Sequence, residues 1–194
     1  LIYKFLVDGG VWMIPIIGVS VIALAFTLER AWFWLSMWLR GDVRLRRRLL
    51  RGELPAPGTR SSDPHALVLL DLAMHPHDPE LATDRARMLV RDSKAHLKVL
   101  SHSAGLGSSL GLFGTVVGIS ESFSGVVDDS AAIVSGLQVA LNTTVLGLIV
   151  YLLAYVAHAI FATKSANLAQ DLEEDLNETR RALEARARQG RVAA

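Results

Sequence analysis

The chain has 194 residues, of which 51% are hydrophobic and 20% charged, with a net charge of +1. Its mean hydropathy of +0.34 fits a small polytopic membrane protein better than a soluble domain. There is no cysteine, which excludes disulfides, thiol nucleophiles and cysteine-held metal or iron–sulfur centres.

Residues 1–10 read as a short amphipathic segment, closed by Gly9-Gly10 and expected to lie in the outer interface. Residues 11–39 form the first predicted transmembrane helix. Its apolar run, 11–28, ends in Glu29-Arg30, followed by Trp32, Trp34 and Trp38. Such rings anchor a helix at headgroup level, which places Glu29 and Arg30 at or near the inner surface. The basic cluster Arg40, Arg44, Arg46, Arg47, Arg48 and Arg51 follows the apolar run instead of preceding it, the reverse of a signal peptide. Basic residues mark the cytoplasmic side. The N-terminus is therefore expected outside, 40–103 inside, and the tail after Lys164 inside.

Residues 40–103 read as a cytoplasmic helical segment. A loop over 52–63 is followed by two cap signatures, Asp63-Pro64 and Asp78-Pro79, each an N-cap with proline at the first helical position. From Pro79 no breaker occurs through Leu100, so one helix is predicted to run straight into the second span. His75 and His77 lie in a turn with no further ligand at metal-binding spacing, and no metal or cofactor site is expected. No nucleotide loop, nucleophile elbow or His/carboxylate pair appears, so an enzyme is not expected.

The second span is 104–127, an outer turn with Asp128 and Asp129 covers 128–130, and the third span is 131–163. Each span reaches the ~20 residues that cross a bilayer. In the third, only His158 can carry charge near neutral pH. Residues 164–194 predict a cytoplasmic helix with Leu168, Leu172, Leu176 and Leu183 on one stripe, seeking a partner surface. Acidic residues precede basic ones along it, matching the helix dipole.

In the second span Gly107, Gly111, Gly114, Gly118 and Gly125 recur in steps that keep them on one face. Glycine weakens a helix, and close backbone approach compensates in membranes. Gly136, Ala140, Thr143, Gly147 and Ala154 make a similar seam in the third span, which implies dense packing within one subunit and between copies. Packing does not require Thr115, Gln138, Asn142, Thr143 and Thr144. A single hydroxyl can bond back to its own helix, but five polar groups at similar depth point to a hydrated or partner-facing lining. Glu121 lies inside the second span, where an ionised carboxylate is costly unless paired, hydrated or protonated. It is either a functional group or a residue that reaches an outer vestibule or a neighbouring subunit.

Gly111-Leu-Phe-Gly-Thr-Val-Val-Gly-Ile-Ser-Glu-Ser-Phe123 resembles the second-span signature of the MotA/TolQ/ExbB proton-channel family, and Gly136-Leu-Gln-Val-Ala-Leu-Asn-Thr-Thr-Val-Leu-Gly-Leu148 resembles its third. Gly9-Gly10, Pro15, Ser20 and Glu29-Arg30 are similar to the family's opening. The resemblance implies an all-α protein with three transmembrane helices and long cytoplasmic helices. It also implies a homopentameric ring in the bacterial inner membrane around two copies of a single-span ExbD/TolR/MotB-like subunit, whose aspartate carries the proton. Residue by residue, Thr115 and Thr144 match the family's ion-path threonines. Asn142, Thr143 and Glu121 complete the expected ion pathway, and Gly107, Gly111, Gly114, Gly118, Gly136 and Gly147 the expected packing seam. The chain departs from TolQ and ExbB at Val139, where they carry glutamate, at Leu153, where they carry proline, and at His158-Ala159, where they carry Tyr-Asn. These departures leave the subclass open, a gliding-motor type such as AglR included. The expected function is the channel half of an ion-driven stator. The alternative is a non-conducting oligomeric scaffold. Contacts are expected with membrane lipid and not with nucleic acid.

Overall fold

The computed structural model describes residues 9–56, 58–124 and 130–192. The interfacial segment expected over 1–10 and the outer turn with Asp128 and Asp129 fall largely outside these residues, as does Gly125. The described residues are helical with no strand. The helices are α1 (Met13–Leu39), α2 (Val43–Leu50), α3 (Pro64–Met74), α4 (Pro79–Ser93), α5 (Leu97–Ser124) and α6 (Ser130–Val192). Three helical stretches are long and apolar enough to cross a membrane, with their apolar parts in α1, α5 and the first half of α6. The protein is thus an all-α, multi-pass membrane protein.

Contacts divide the chain into two units, residues 1–30 with 96–161, and residues 31–95 with 162–194. In the first unit small residues let the spanning helices meet. Ala23, Ala104 and Ala154 form its buried cluster, flanked by Tyr151. Large apolar side chains point away from this core: Leu112 is 66% exposed, Leu141 59% and Leu152 60%. An apolar exterior over a core of small residues is the arrangement that lipid or neighbouring spans demand. At one end Trp12 meets the edge of Phe113, ring centroids 4.8 Å apart.

The second unit packs like a water-soluble domain. Asp63 caps α3 by accepting from the His65 N–H, and proline opens both α3 and α4, as their sequence signatures predict. Leu49, Leu69, Leu70 and Ala73 form one cluster, with Leu176 and Leu183 against it. Val68, Ala86, Leu168 and Leu172 form another, against which Trp34 and Met37 pack. The leucine stripe of the tail therefore finds its partner surface within the same chain, on α3, α4 and their neighbours. Polar contacts complete the fit. Ser165 Oγ donates to the Ser93 carbonyl at 2.9 Å, and Arg186 to that of Gly52 at 2.9 Å. Gly52 holds φ +71° against the Ala182 backbone, a conformation and a proximity that suit only glycine.

Two local expectations are corrected. The helix from Pro79 does not run unbroken into the second span: it ends at Ser93, and Lys94, Ala95 and His96 form a turn in which His96 adopts φ 61°. Repeated carbonyl bonds to the Lys94 N–H, from Val90 and Arg91, close the first helix. No proline or glycine marks the site, so propensity gives no warning of it. The three tryptophans also do not act alike. Trp32 and Trp38 are 71% and 78% exposed, whereas Trp34 packs into the second unit's core with Lys164 over its ring.

Candidate functional site

The site grows from the seam between α5 and α6. Glycines on α5 at steps of four and three face Thr143, Gly147, Ala140 and Gly136 of α6. The approach is backbone on backbone. A methyl on Gly118 would lie 2.6 Å from the Gly136 carbonyl oxygen, and one on Gly147 2.6 Å from that of Gly107. Gly111 and Gly114 likewise meet Gly147 and Thr143, so the six expected packing glycines all lie in this contact. Ser122 extends it: the residue is buried, contacts Gly136, and its Oγ donates to the Gly118 carbonyl at 3.0 Å, with the Ile133 carbonyl 3.2 Å away. The sequence reading missed it, although Ser122 is the next four-residue step after Gly118.

Thr115 and Thr144 stand at the edge of this seam, both half-buried, with their hydroxyl oxygens in direct hydrogen-bond contact. Each also has a carbonyl of its own helix in reach, Gly111 at 3.1 Å from Thr115 and Ala140 at 2.9 Å from Thr144. Two hydroxyls carry two protons, and at any moment one donates to the other while the second donates to a carbonyl. The direction of that chain can reverse without moving a heavy atom, and each oxygen keeps a lone pair for a further donor. This is a small polar port in an otherwise apolar wall.

The remaining expected residues are placed apart from it. Thr143 is fully buried inside the seam against Gly114, and its hydroxyl donates back to the Val139 carbonyl at 2.9 Å. Asn142 is half-buried two residues before Thr144, a spacing that turns it to another face. Glu121 is exposed, six residues beyond Thr115 and about 9 Å along the axis. Val139, one of the positions where the chain departs from the TolQ and ExbB pattern, is half-buried and lies beside Gly10.

At the other end of the first unit Glu29 is exposed while Arg30 is buried. Arg30 is only 4% exposed and its Nε donates to Glu29 Oε2 at 2.7 Å. His96 Nδ1 lies 3.2 Å from the same oxygen, and its ring packs on Phe26 at 4.8 Å. These contacts hold His96 in its left-handed conformation.

The second unit has its own buried polar cluster. His65 Nε2 contacts Asp175 Oδ2 at 2.8 Å and Arg46 Nε donates to the same oxygen at 2.7 Å. Burial foremost, and then the Arg46 charge, pulls the His65 imidazole below its ordinary value, with Asp175 opposing. The neutral ring is therefore the favoured form, and it donates to Asp175.

A model of the "MotA/TolQ/ExbB proton channel family" matches residues 74–174, which include α5, the spanning half of α6 and the hydroxyl pair. Two proteins of Synechocystis sp. are 28% identical to the chain. One is named biopolymer transport protein ExbB-like 3, aligned over 73% of this chain and 76% of its own length. The other is named ExbB-like 1, aligned over 80% and 68%.

Proposed function

From the premise that the chain belongs to the MotA/TolQ/ExbB proton channel family, we propose that it is the channel subunit of an inner-membrane motor. In this reading it couples proton flow to mechanical work with a single-span ExbD/TolR/MotB-type subunit. Five copies surround two partner helices, the N-terminus is periplasmic, and the arginine-rich 40–51 segment and the tail are cytoplasmic.

The observation that carries the reading is the Thr115–Thr144 hydroxyl pair. A scaffold needs the glycine seam, but it does not need two half-buried hydroxyls joined beside it. A carboxylic acid on a partner helix could exchange hydrogen bonds with this pair as it gains and loses its proton. Asn142 and Glu121 would then contribute polarity at other points of the path, and Thr143 would act by holding the seam.

The test replaces both hydroxyls and keeps their shape. In Thr115→Val/Thr144→Val the lost hydrogen bonds cost roughly 1–2 kcal/mol, too little to dismantle three packed spans. The complex should still assemble, as counted by native mass spectrometry, while proton-driven output falls sharply. Unchanged output in the assembled double variant would refute the channel role of the pair and favour the scaffold.

A further inference from the structure

The third span carries polar residues that the hydroxyl pair does not use. Thr144, Tyr151, Tyr155 and His158 are separated by seven, four and three residues. At 100° per residue all four fall within about 60° of one another on α6, on a face centred about 80° from the line of buried seam residues Thr143, Gly147, Val150 and Ala154. Tyr151 and Tyr155 stack with ring centroids 5.5 Å apart and planes 18° from parallel. Tyr155 is 52% exposed, while His158 is half-buried and so is Tyr151, whose ring packs beside the Ala23, Ala104 and Ala154 cluster. Among the described residues, none hydrogen-bonds either phenol or the His158 ring.

We propose that Tyr151, Tyr155 and His158 form the inner half of the proton path, leading from the Thr115–Thr144 pair to the inner end of the third span. The proposal rests on the channel reading above and adds residues to it. Helix geometry gives axial steps of about 10, 6 and 4.5 Å along the file. Side chains on a helix lean toward its N-terminus, so both phenols reach back toward Thr144 and shorten the longest step to one that water can bridge. Each phenol takes a proton on a lone pair and releases its own, ending unchanged. His158 accepts at one ring nitrogen and releases from the other, and its tautomer resets by rotation or by exchange with water. One proton enters and one leaves.

The competing explanation is an aromatic belt, in which tyrosines and a histidine near the inner interface only anchor the helix. Belt anchoring depends on the rings, and proton transfer on the O–H and N–H groups. The experiment places the chain and its co-purified single-span subunit in proteoliposomes with a trapped pH dye and compares proton uptake. We expect His158→Ala and His158→Gln to slow uptake roughly tenfold or more, and millimolar imidazole to restore much of the rate in His158→Ala. Tyr155→Phe and Tyr151→Phe should each slow uptake while preserving assembly by native mass spectrometry. Wild-type rates in the Tyr→Phe variants and in His158→Gln would overturn the proposal in favour of the belt. So would a loss in His158→Ala that imidazole leaves unchanged. If Thr115→Val/Thr144→Val is slow and these variants are not, this proposal fails alone. If the wild-type complex takes up no protons, the channel reading itself fails.

Discussion

Gly118→Ala puts one methyl group where two backbones already touch. Its Cβ would lie 2.6 Å from the Gly136 carbonyl oxygen, 2.7 Å from the Ala140 nitrogen and 3.0 Å from the Ala140 Cβ. The two nearest atoms are backbone, so no rotamer change relieves the clash, and α5 and α6 must part by about 0.8 Å to restore ordinary contact. A gap of that size forfeits a quarter to a half of the dispersion energy of each facing atom pair. Over-packing of a tight core costs about 1–3 kcal/mol, and the better helix propensity of alanine returns up to about 1 kcal/mol. The net expectation is a destabilisation of about 1–2 kcal/mol. Gly105→Ala is the matched control, because its Cβ meets nothing within 4 Å, and it should be neutral or slightly stabilising. Unfolding of the detergent-solubilised protein followed by circular dichroism would measure both. Equal stability of Gly118→Ala and wild type would refute the backbone-contact account of the seam.

Protonation of His65 gives a second prediction. Its folded-state value is depressed, chiefly by burial, so its contribution to stability is present above the unfolded value of about 6.5 and is lost as pH falls below it. His65→Gln removes the titration and keeps a donor for Asp175; its melting temperature should fall less than wild type's between about pH 7.5 and pH 5.5, and parallel pH profiles would refute this. For Glu121 the comparison is Glu121→Gln against Glu121→Ala, with assembly checked in both. Loss of proton-driven output in both supports a proton-path role, loss only in Glu121→Ala indicates hydrogen bonding or packing, and no loss in either removes the residue from the path.

The spans, the proline starts of α3 and α4 with the Asp63 cap, and the glycine seam were legible because each is a local pattern with one physical solution, although the Asp78 side chain makes no cap hydrogen bond. A run of apolar residues must leave water, proline at a first helical position follows an N-cap, and glycines on one membrane-helix face compensate only by close approach. Thr115 and Thr144 were singled out by family resemblance, but the contact between their hydroxyls was not legible, since nothing in the chain states which faces of two helices meet. What escaped depends on tertiary contact. The turn at Lys94–His96 carries no breaker, and its unusual residue is held by Glu29 and Phe26, which are distant in sequence. The spacing of the tail's leucines declares an apolar face but not the identity of what covers it, which proved to be α3, α4 and their neighbours. Thr143 looked like its neighbour Thr144, yet 100° of helical rotation separates a buried wedge from a half-open port.

The seam between α5 and α6 has a consequence for a cell that must insert such a protein one copy at a time. Carbonyl groups lie where even a methyl would not fit, so between these two helices there is no bore through which a file of water could pass. Along that line a single copy offers water no passage, and the half-buried Thr115 and Thr144 hydroxyls stand at the edge of the seam. On the proposed channel reading, one copy supplies only one wall of the path, so proton leakage along this line during biogenesis would await the helix that completes it.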